Sequence, residues 1–272
     1  MMVIRKMMEI SSTEREKAIS WLLIGAIFFA MRSCEYCKTA VEESKRTKIV
    51  RLKNIVFKLD NRVIAHSNKR LKEADLVQIT FEFQKNDKRD VRVHMFRSGD
   101  SLLCPVIAWA STVQRIRRID GSCDDSEVCL FEDENKKTSL LPAIQIRARL
   151  RAIVHLIGEE ALGFNRDDIG LHSIRSGGAM AMFLSGTSVV IIQRVGRWSS
   201  EAFLEYIREQ VESFTVDVSK NMLRCEEFLN LNENEVTNDE EMEIDDNESG
   251  PELVPFGVRF NALSLENKSM KR

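Results

Sequence analysis

The sequence predicts an α+β fold, mainly α, with a small antiparallel β-sheet or hairpin. Three observations predict it. Apolar residues recur at helical spacing along most of the chain, one stretch alternates as two strands around a turn, and 43% hydrophobic residues in 272 can fill a sizeable core. Such a chain is neither fibrous nor wholly disordered.

The elements follow in order. Ser11, Ser12 and Thr13 precede Glu14 and Glu16, a helix start in which a hydroxyl caps free amides and acids sit in the positive first turn. The helix is expected over residues 13–39. Its apolar run, residues 18–31, is 14 residues long between Lys17 and Arg32, short of the roughly 20 that a bilayer span needs. It reads as a buried helix, and its run into Arg32 and Glu35 is unlike a secretory signal. Short strands are expected over 49–52 and 55–57. Residues 76–83 and 91–96 alternate on either side of an Asn86-Asp87 turn, which makes a hairpin with a charged tip. Cys104-Pro105 opens a helix to about residue 118, Pro105 being suited to a first turn. A loop over 121–127 and a strand over 129–131 lead to a helix over 139–157, with Ile144, Ala148, Arg151 and His155 along one path. Helices over 173–184 and 189–195 are separated by Ser185, Gly186, Thr187 and Ser188, where the glycine stops one and a hydroxyl caps the next. Helical spacing continues over 200–206 and on to 231. Residues 232–248 hold nine acids and no base and are expected to be disordered. The organisation is therefore a leader (1–12), one domain (13–231) and an acidic tail (232–272).

The formal net charge of -2 hides an asymmetry. Residues 226–272 carry 13 acids and 4 bases, whereas residues 1–225 carry 36 bases and 29 acids, a net of +7. A basic body readmits polyanions as partners. Six dispersed cysteines read as reduced thiols of an intracellular protein. Cys34 and Cys37 have CxxC spacing without a second pair, so a helical turn with two buried thiols is the plainer account than zinc or redox chemistry. Neither a P-loop nor a dinucleotide fingerprint is present, which argues against ATP- or NAD-dependent chemistry.

The stretch 171–179 is the most informative. On a helix His172 and Arg175 lie three apart and share a side, so both could meet one phosphate, and Ser176-Gly177-Gly178-Ala179 permits close approach of another element. Downstream stand Gly196, Arg197 and Trp198, then Tyr206 eight residues after the tryptophan; upstream, Arg32 and Glu35 end the apolar run.

In these residues the chain resembles the catalytic domain of tyrosine recombinases, the phage-integrase type, and most of all the Crypton and DIRS-type transposon branch. The resemblance covers residues 14–231 and rests on six residues in order, Arg32, Lys85 on the hairpin, His172, Arg175, Trp198 and Tyr206, with Glu35 three positions after Arg32. It implies the helical catalytic domain of DNA breaking-rejoining enzymes, acting on double-stranded DNA as a homo-oligomer, a tetramer, without metal, cofactor or membrane. In a eukaryote it implies a nuclear location. Arg32 and Arg175 would stabilise charge on the phosphodiester in the transition state. Tyr206 would attack phosphorus to give a covalent 3'-phosphotyrosyl intermediate. His172 would accept a proton or donate to the phosphate, and Lys85, with Lys88 across the turn as the alternative, would protonate the leaving 5'-oxygen. Trp198 would pack the site, and Glu35 would orient Arg32 or Lys85.

The family usually places a helical DNA-binding domain ahead of the catalytic one, and about a dozen residues precede the first helix here. The chain is thus expected to be truncated or to lack half of a DNA clamp. The Trp198-Tyr206 interval is a residue shorter than in many relatives, and the interval from Arg32 to the hairpin is long. Two other readings stay open: an inactive or domesticated DNA-binding or interaction module derived from such a recombinase, and a helical interaction protein whose His172, Arg175 and Tyr206 are structural. The amphipathic stretch 211–231 would dock on its own domain or on a neighbouring protomer.

Overall fold

Helix α2 (Glu14–Phe28) is the centre of the core in a computed structural model that describes residues 1–39, 47–83 and 89–198. A capping box starts it: Thr13 Oγ1 accepts from the Glu16 N–H (3.2 Å), and Glu16 Oε2 accepts from the N–H groups of Ser12 (2.9 Å) and Thr13 (3.2 Å). From Ala18 to Ile27 it is buried on almost every side, and Leu22, Leu23 and Ile24 are wholly shielded. Full burial of each such side chain is worth about 1.5–3 kcal/mol. Among the described residues no helix is long and apolar enough to cross a membrane.

Three helices pack on α2: α1 (Met2–Glu9), α4 (Pro105–Arg117) and α7 (His172–Leu184). The first lies where a leader was expected, and it buries Val3, Ile4 and Met7. Against α4 the approach is close, because a Cβ on Gly25 would stand 2.6 Å from the Trp109 ring.

The expected 13–39 helix is broken in two. Helix α2 stops at Phe28, and a single turn, α3 (Ser33–Tyr36), resumes beyond the corner. The stop is a Schellman motif: Ala30 N–H bonds the Ile27 carbonyl (3.2 Å) and Met31 N–H the Ala26 carbonyl (2.9 Å), with Ala30 left-handed at φ 43°. An alanine sits where glycine is usual, so the stop leaves no trace in residue type.

An antiparallel sheet of order β2-β1-β3-β4 packs against α4: β1 (Ile55–Leu59), β2 (Arg62–Ile64), β3 (Leu76–Phe83) and β4 (Arg89–Phe96). The expected hairpin is β3-β4, in register through Phe81 with Val91 and Ile79 with Val93. Val77, Ile79 and Phe81 point into the core at alternate positions, as a half-buried strand requires. The strand expected over 49–52 is instead a bridge from Arg51 to Glu127 and a 3-10 turn, Leu52–Asn54, closed by the Arg51 N–H to the Asn54 side chain (2.9 Å).

A small hairpin, β5 (Leu130–Glu132) with β6 (Thr138–Leu140), precedes α5 (Ala143–Ile157). Residues 139–142, expected as helix, pair as strand or precede it, with Pro142 at the N-cap. The buried stripe of α5 is Ile146, Leu150, Ile153 and Val154; Ile144 on the expected path is 66% exposed. A turn, α6 (Glu159–Leu162), leads towards α7, and Ser188 caps α8 (Val189–Gly196). The mixed architecture with its small antiparallel sheet agrees with the fold class read from the sequence.

Candidate active site

The corner between α2 and α3 gathers side chains from opposite ends of the described chain. Arg32 is the N-cap of α3 and 22% exposed. Its backbone N–H donates to Glu35 Oε2 (2.8 Å) and its Nη1 to Glu35 Oε1 (3.1 Å). Glu35 is 1% exposed, a burial that a carboxylate sustains only when paired. The second partner is Arg197, whose Nη2 donates to Glu35 Oε2 at 2.7 Å.

Arg197 was part of the Gly196-Arg197-Trp198 stretch without a role assigned to it, and it is the residue that sequence reasoning missed. Its side chain is fully buried. Nη1 donates to the carbonyls of Phe29 (3.1 Å) and Val195 (3.0 Å), and the guanidinium lies 3.6 Å from the centre of the Phe81 ring. Burial lowers its pKa from the ordinary arginine value, and Glu35 opposes the shift. No motif announces such a residue. An arginine beside glycine after an amphipathic helix reads as solvent-facing, and only the left-handed backbone here, φ 58°, turns it inward.

Arg175 reaches the same corner from α7. It is 4% exposed, with Nη1 donating to the Ala30 carbonyl and Nη2 to the Gly196 carbonyl (2.6 Å). Trp198 stacks on it, the guanidinium carbon being 4.1 Å from the ring centre. Gly196 makes room, since a Cβ there would fall 1.5 Å from the indole. Gly178 has a matching function on α7: its Cβ would be 2.3 Å from the Ile27 carbonyl oxygen, so the α2 and α7 backbones are nearly in contact. The phosphate-facing fork expected of Arg175 is thus engaged, at least in part, with backbone.

His172, one turn before Arg175, is exposed at the start of α7. Partial burial, and then Arg175, lower its pKa below the usual 6.5, which favours neutral imidazole at neutral pH. Of the expected set, Arg32 pairs with Glu35 and Arg175 with Trp198, and the two pairs are linked through Ala30, Gly196 and Arg197; His172 lies one turn before Arg175 on α7. Lys85, Lys88 and Tyr206 lie outside the described residues, as do the hairpin tip, the stretch 211–231 and the acidic tail.

Cys37 is buried, its thiol donating to the Ser33 carbonyl (3.1 Å), and burial pushes its pKa up to about 12. Cys34 is half-buried. Among the described residues no group of three His, Cys, Asp or Glu side chains could hold a metal ion.

No protein-family model matches the chain, and no curated protein does. Solved structures do. A post-cleavage complex of the XerH site-specific recombinase with palindromic difH substrate is similar at a TM-score of 0.50 and 15% identity, over 80% of this chain and 50% of that one. The XerH pre-cleavage complex with difH gives 0.48 and 14%, over 75% and 47%. The Tn1549 transposon integrase in complex with circular intermediate DNA gives 0.38 and 9%, over 74% and 57%. The chain spans about half the length of the recombinase structures it matches. At these identities the likeness is one of fold.

Proposed function

We propose that the chain is a DNA strand-transferase of the tyrosine recombinase type, acting on double-stranded DNA in site-specific recombination or integration. One observation carries the proposal: residues 32, 35, 175 and 198 are tied to one corner of the fold, through Ala30, Gly196 and Arg197, where Arg32 keeps an exposed edge. The positive body, net +7 over residues 1–225, suits a phosphate backbone. In this reading residues 13–231 form the catalytic domain.

Each residue then has a task. Arg32 is held by Glu35 with its guanidinium geometry fixed before substrate arrives, which is what stabilisation of a developing phosphorane charge requires. Arg175 braces the corner and carries the Trp198 ring, and it meets phosphate through N–H groups other than those on Ala30 and Gly196 or after exchanging those bonds. Neutral His172 can accept a proton. Tyr206 is the nucleophile: its oxygen bonds to phosphorus, the 5'-oxygen departs, and Lys85 or Lys88 supplies the proton to that leaving group. The family's tetrameric assembly on DNA belongs to the same proposal.

A second reading, a DNA-binding module that cuts nothing, is favoured by the burial of Arg175 against backbone carbonyls. One experiment separates the two. The full chain is incubated with a pool of nicked duplexes of randomised sequence, and SDS-stable protein-DNA adducts are isolated. The proposal expects an adduct that disappears in Tyr206→Phe; an undiminished adduct in that variant overturns it. Salt-sensitive DNA retention without any adduct selects the second reading.

A further inference from the structure

The Arg197 side chain is shielded from solvent, and yet it places a guanidinium in the core. A buried ion pair is a poor source of stability, since an apolar residue of similar volume commonly serves as well. What the pair does accomplish is electrostatic and geometric. Glu35 alone would cancel the charge of Arg32, because both of its oxygens bond Arg32 groups, Oε1 to Nη1 and Oε2 to the backbone N–H. With Arg197 on Oε2, the three side chains sum to one positive charge, and Arg32 is the member with an exposed edge. The same guanidinium ties Phe29 before the corner and Val195 on α8 and covers Phe81 on β3, so the carboxylate is fixed relative to three elements.

We propose that Arg197 is a positioning residue of the phosphate site: it neutralises and fixes Glu35, so that Glu35 orients Arg32 without cancelling its charge towards a DNA phosphate. The inference rests on the recombinase reading for the identity of the anion. The geometry on which it stands is independent of that reading.

The test uses the full chain with Arg197→Met, which removes the charge, and Arg197→Lys, which keeps the charge and loses the fork. Should Arg197→Met fail to fold, Arg197→Lys alone carries the test. The first readout is the rate of adduct formation on nicked duplex at saturating DNA. Loss of an outer orienting partner costs about 10–100-fold in activity, and here it is expected in the saturating rate with little change in half-saturation. Arg197→Lys should recover part of the Arg197→Met loss. In an Arg32→Ala background the Arg197 substitutions should cost little more, because they act through Arg32. Losses that multiply in that background reveal general destabilisation and overturn the proposal.

The second readout needs no activity. The Arg32 Nε–H resonance, assigned by its disappearance in Arg32→Lys, should shift and exchange faster in the Arg197 variants while core methyl resonances stay in place. An unmoved Arg32 resonance overturns the proposal. If wild-type protein gives no adduct on any duplex, the recombinase reading fails, and this resonance alone decides the part played by Arg197.

Discussion

Gly178→Ala isolates the closest backbone approach near the candidate site. The new Cβ would stand 2.3 Å from the Ile27 carbonyl oxygen, whereas an unstrained carbon-oxygen contact needs roughly 3.3 Å. Neither atom can swing aside, because one is fixed to the α7 backbone and the other belongs to α2. The helices must therefore part by about 1 Å, an overpacking that costs about 1–3 kcal/mol. The bond from Arg175 to the Ala30 carbonyl crosses the same gap one turn away, and a hydrogen bond from a charged donor is worth about 1.5–3 kcal/mol. Alanine returns about 1 kcal/mol of helix propensity. A net loss of about 1.5–5 kcal/mol follows, or roughly 3–20 °C in Tm for a domain of this size. Gly177→Ala is the control one residue away: its Cβ would meet only the Ile27 methyl at 4.0 Å, so it should gain about 0.5–1 kcal/mol. Thermal unfolding followed by far-UV circular dichroism measures both. A Gly178→Ala protein that melts no lower than wild type, or a Gly177→Ala protein that falls as far, refutes the reasoning.

Two further outcomes are expected. His66 is held neutral: its Nε2–H donates to the Ile55 carbonyl (2.8 Å), Arg117 faces Nδ1 (3.2 Å), and Asp124 pairs with Arg117. Its pKa lies below 6.5, chiefly through burial, so the folded state binds fewer protons than the unfolded one in that window. The His66 contribution is complete above about pH 6.5 and is lost as pH falls through the lowered value, so His66→Gln should flatten the acid side of a urea-midpoint-against-pH curve; an unchanged slope would count against the buried neutral imidazole. Thiol reactivity should also divide by burial. Cys123 is exposed, whereas burial raises Cys37 and Cys129 to about 12, so brief iodoacetamide treatment at mildly alkaline pH should label Cys123 before any other cysteine among the described residues and leave those two until the chain unfolds, as read by peptide mass spectrometry.

The parts legible in the sequence were those with a local cause. Alternation around Asn86-Asp87 marked β3 and β4, the hydroxyls of residues 11–13 ahead of Glu14 and Glu16 marked the start of α2, and the hydroxyls among residues 185–188 marked the start of α8. What escaped had causes remote in the chain. The corner at Ala30 uses a non-glycine left-handed residue whose own carbonyl is taken by Arg175 and the preceding one, of Phe29, by Arg197, and no window around residue 30 contains either arginine. Helical spacing marked α5, but which of its faces is buried, that of Ile146, Leu150, Ile153 and Val154, was not read, since apolar Ile144 lies exposed outside it. At the candidate site, residue types in order singled out Arg32, Glu35, Arg175 and Trp198, which the fold ties to one corner. Arg197 was passed over because its importance lies in an inward turn of the backbone.

The bonds that hold this corner join residues 145, 162 and 168 positions apart. During synthesis at roughly 5–20 residues per second, Arg32 and Glu35 leave the ribosome about 8–30 s before Arg197 does. For that interval a carboxylate destined for the core has no second partner, and the Phe29 and Ala30 carbonyls at the end of α2 lack the arginines that bond them. The corner is therefore closed late, by the arrival of α7 and α8, whatever earlier helices have already formed. A nascent chain halted before residue 170 would carry Arg32 and its acid in full and still have no site.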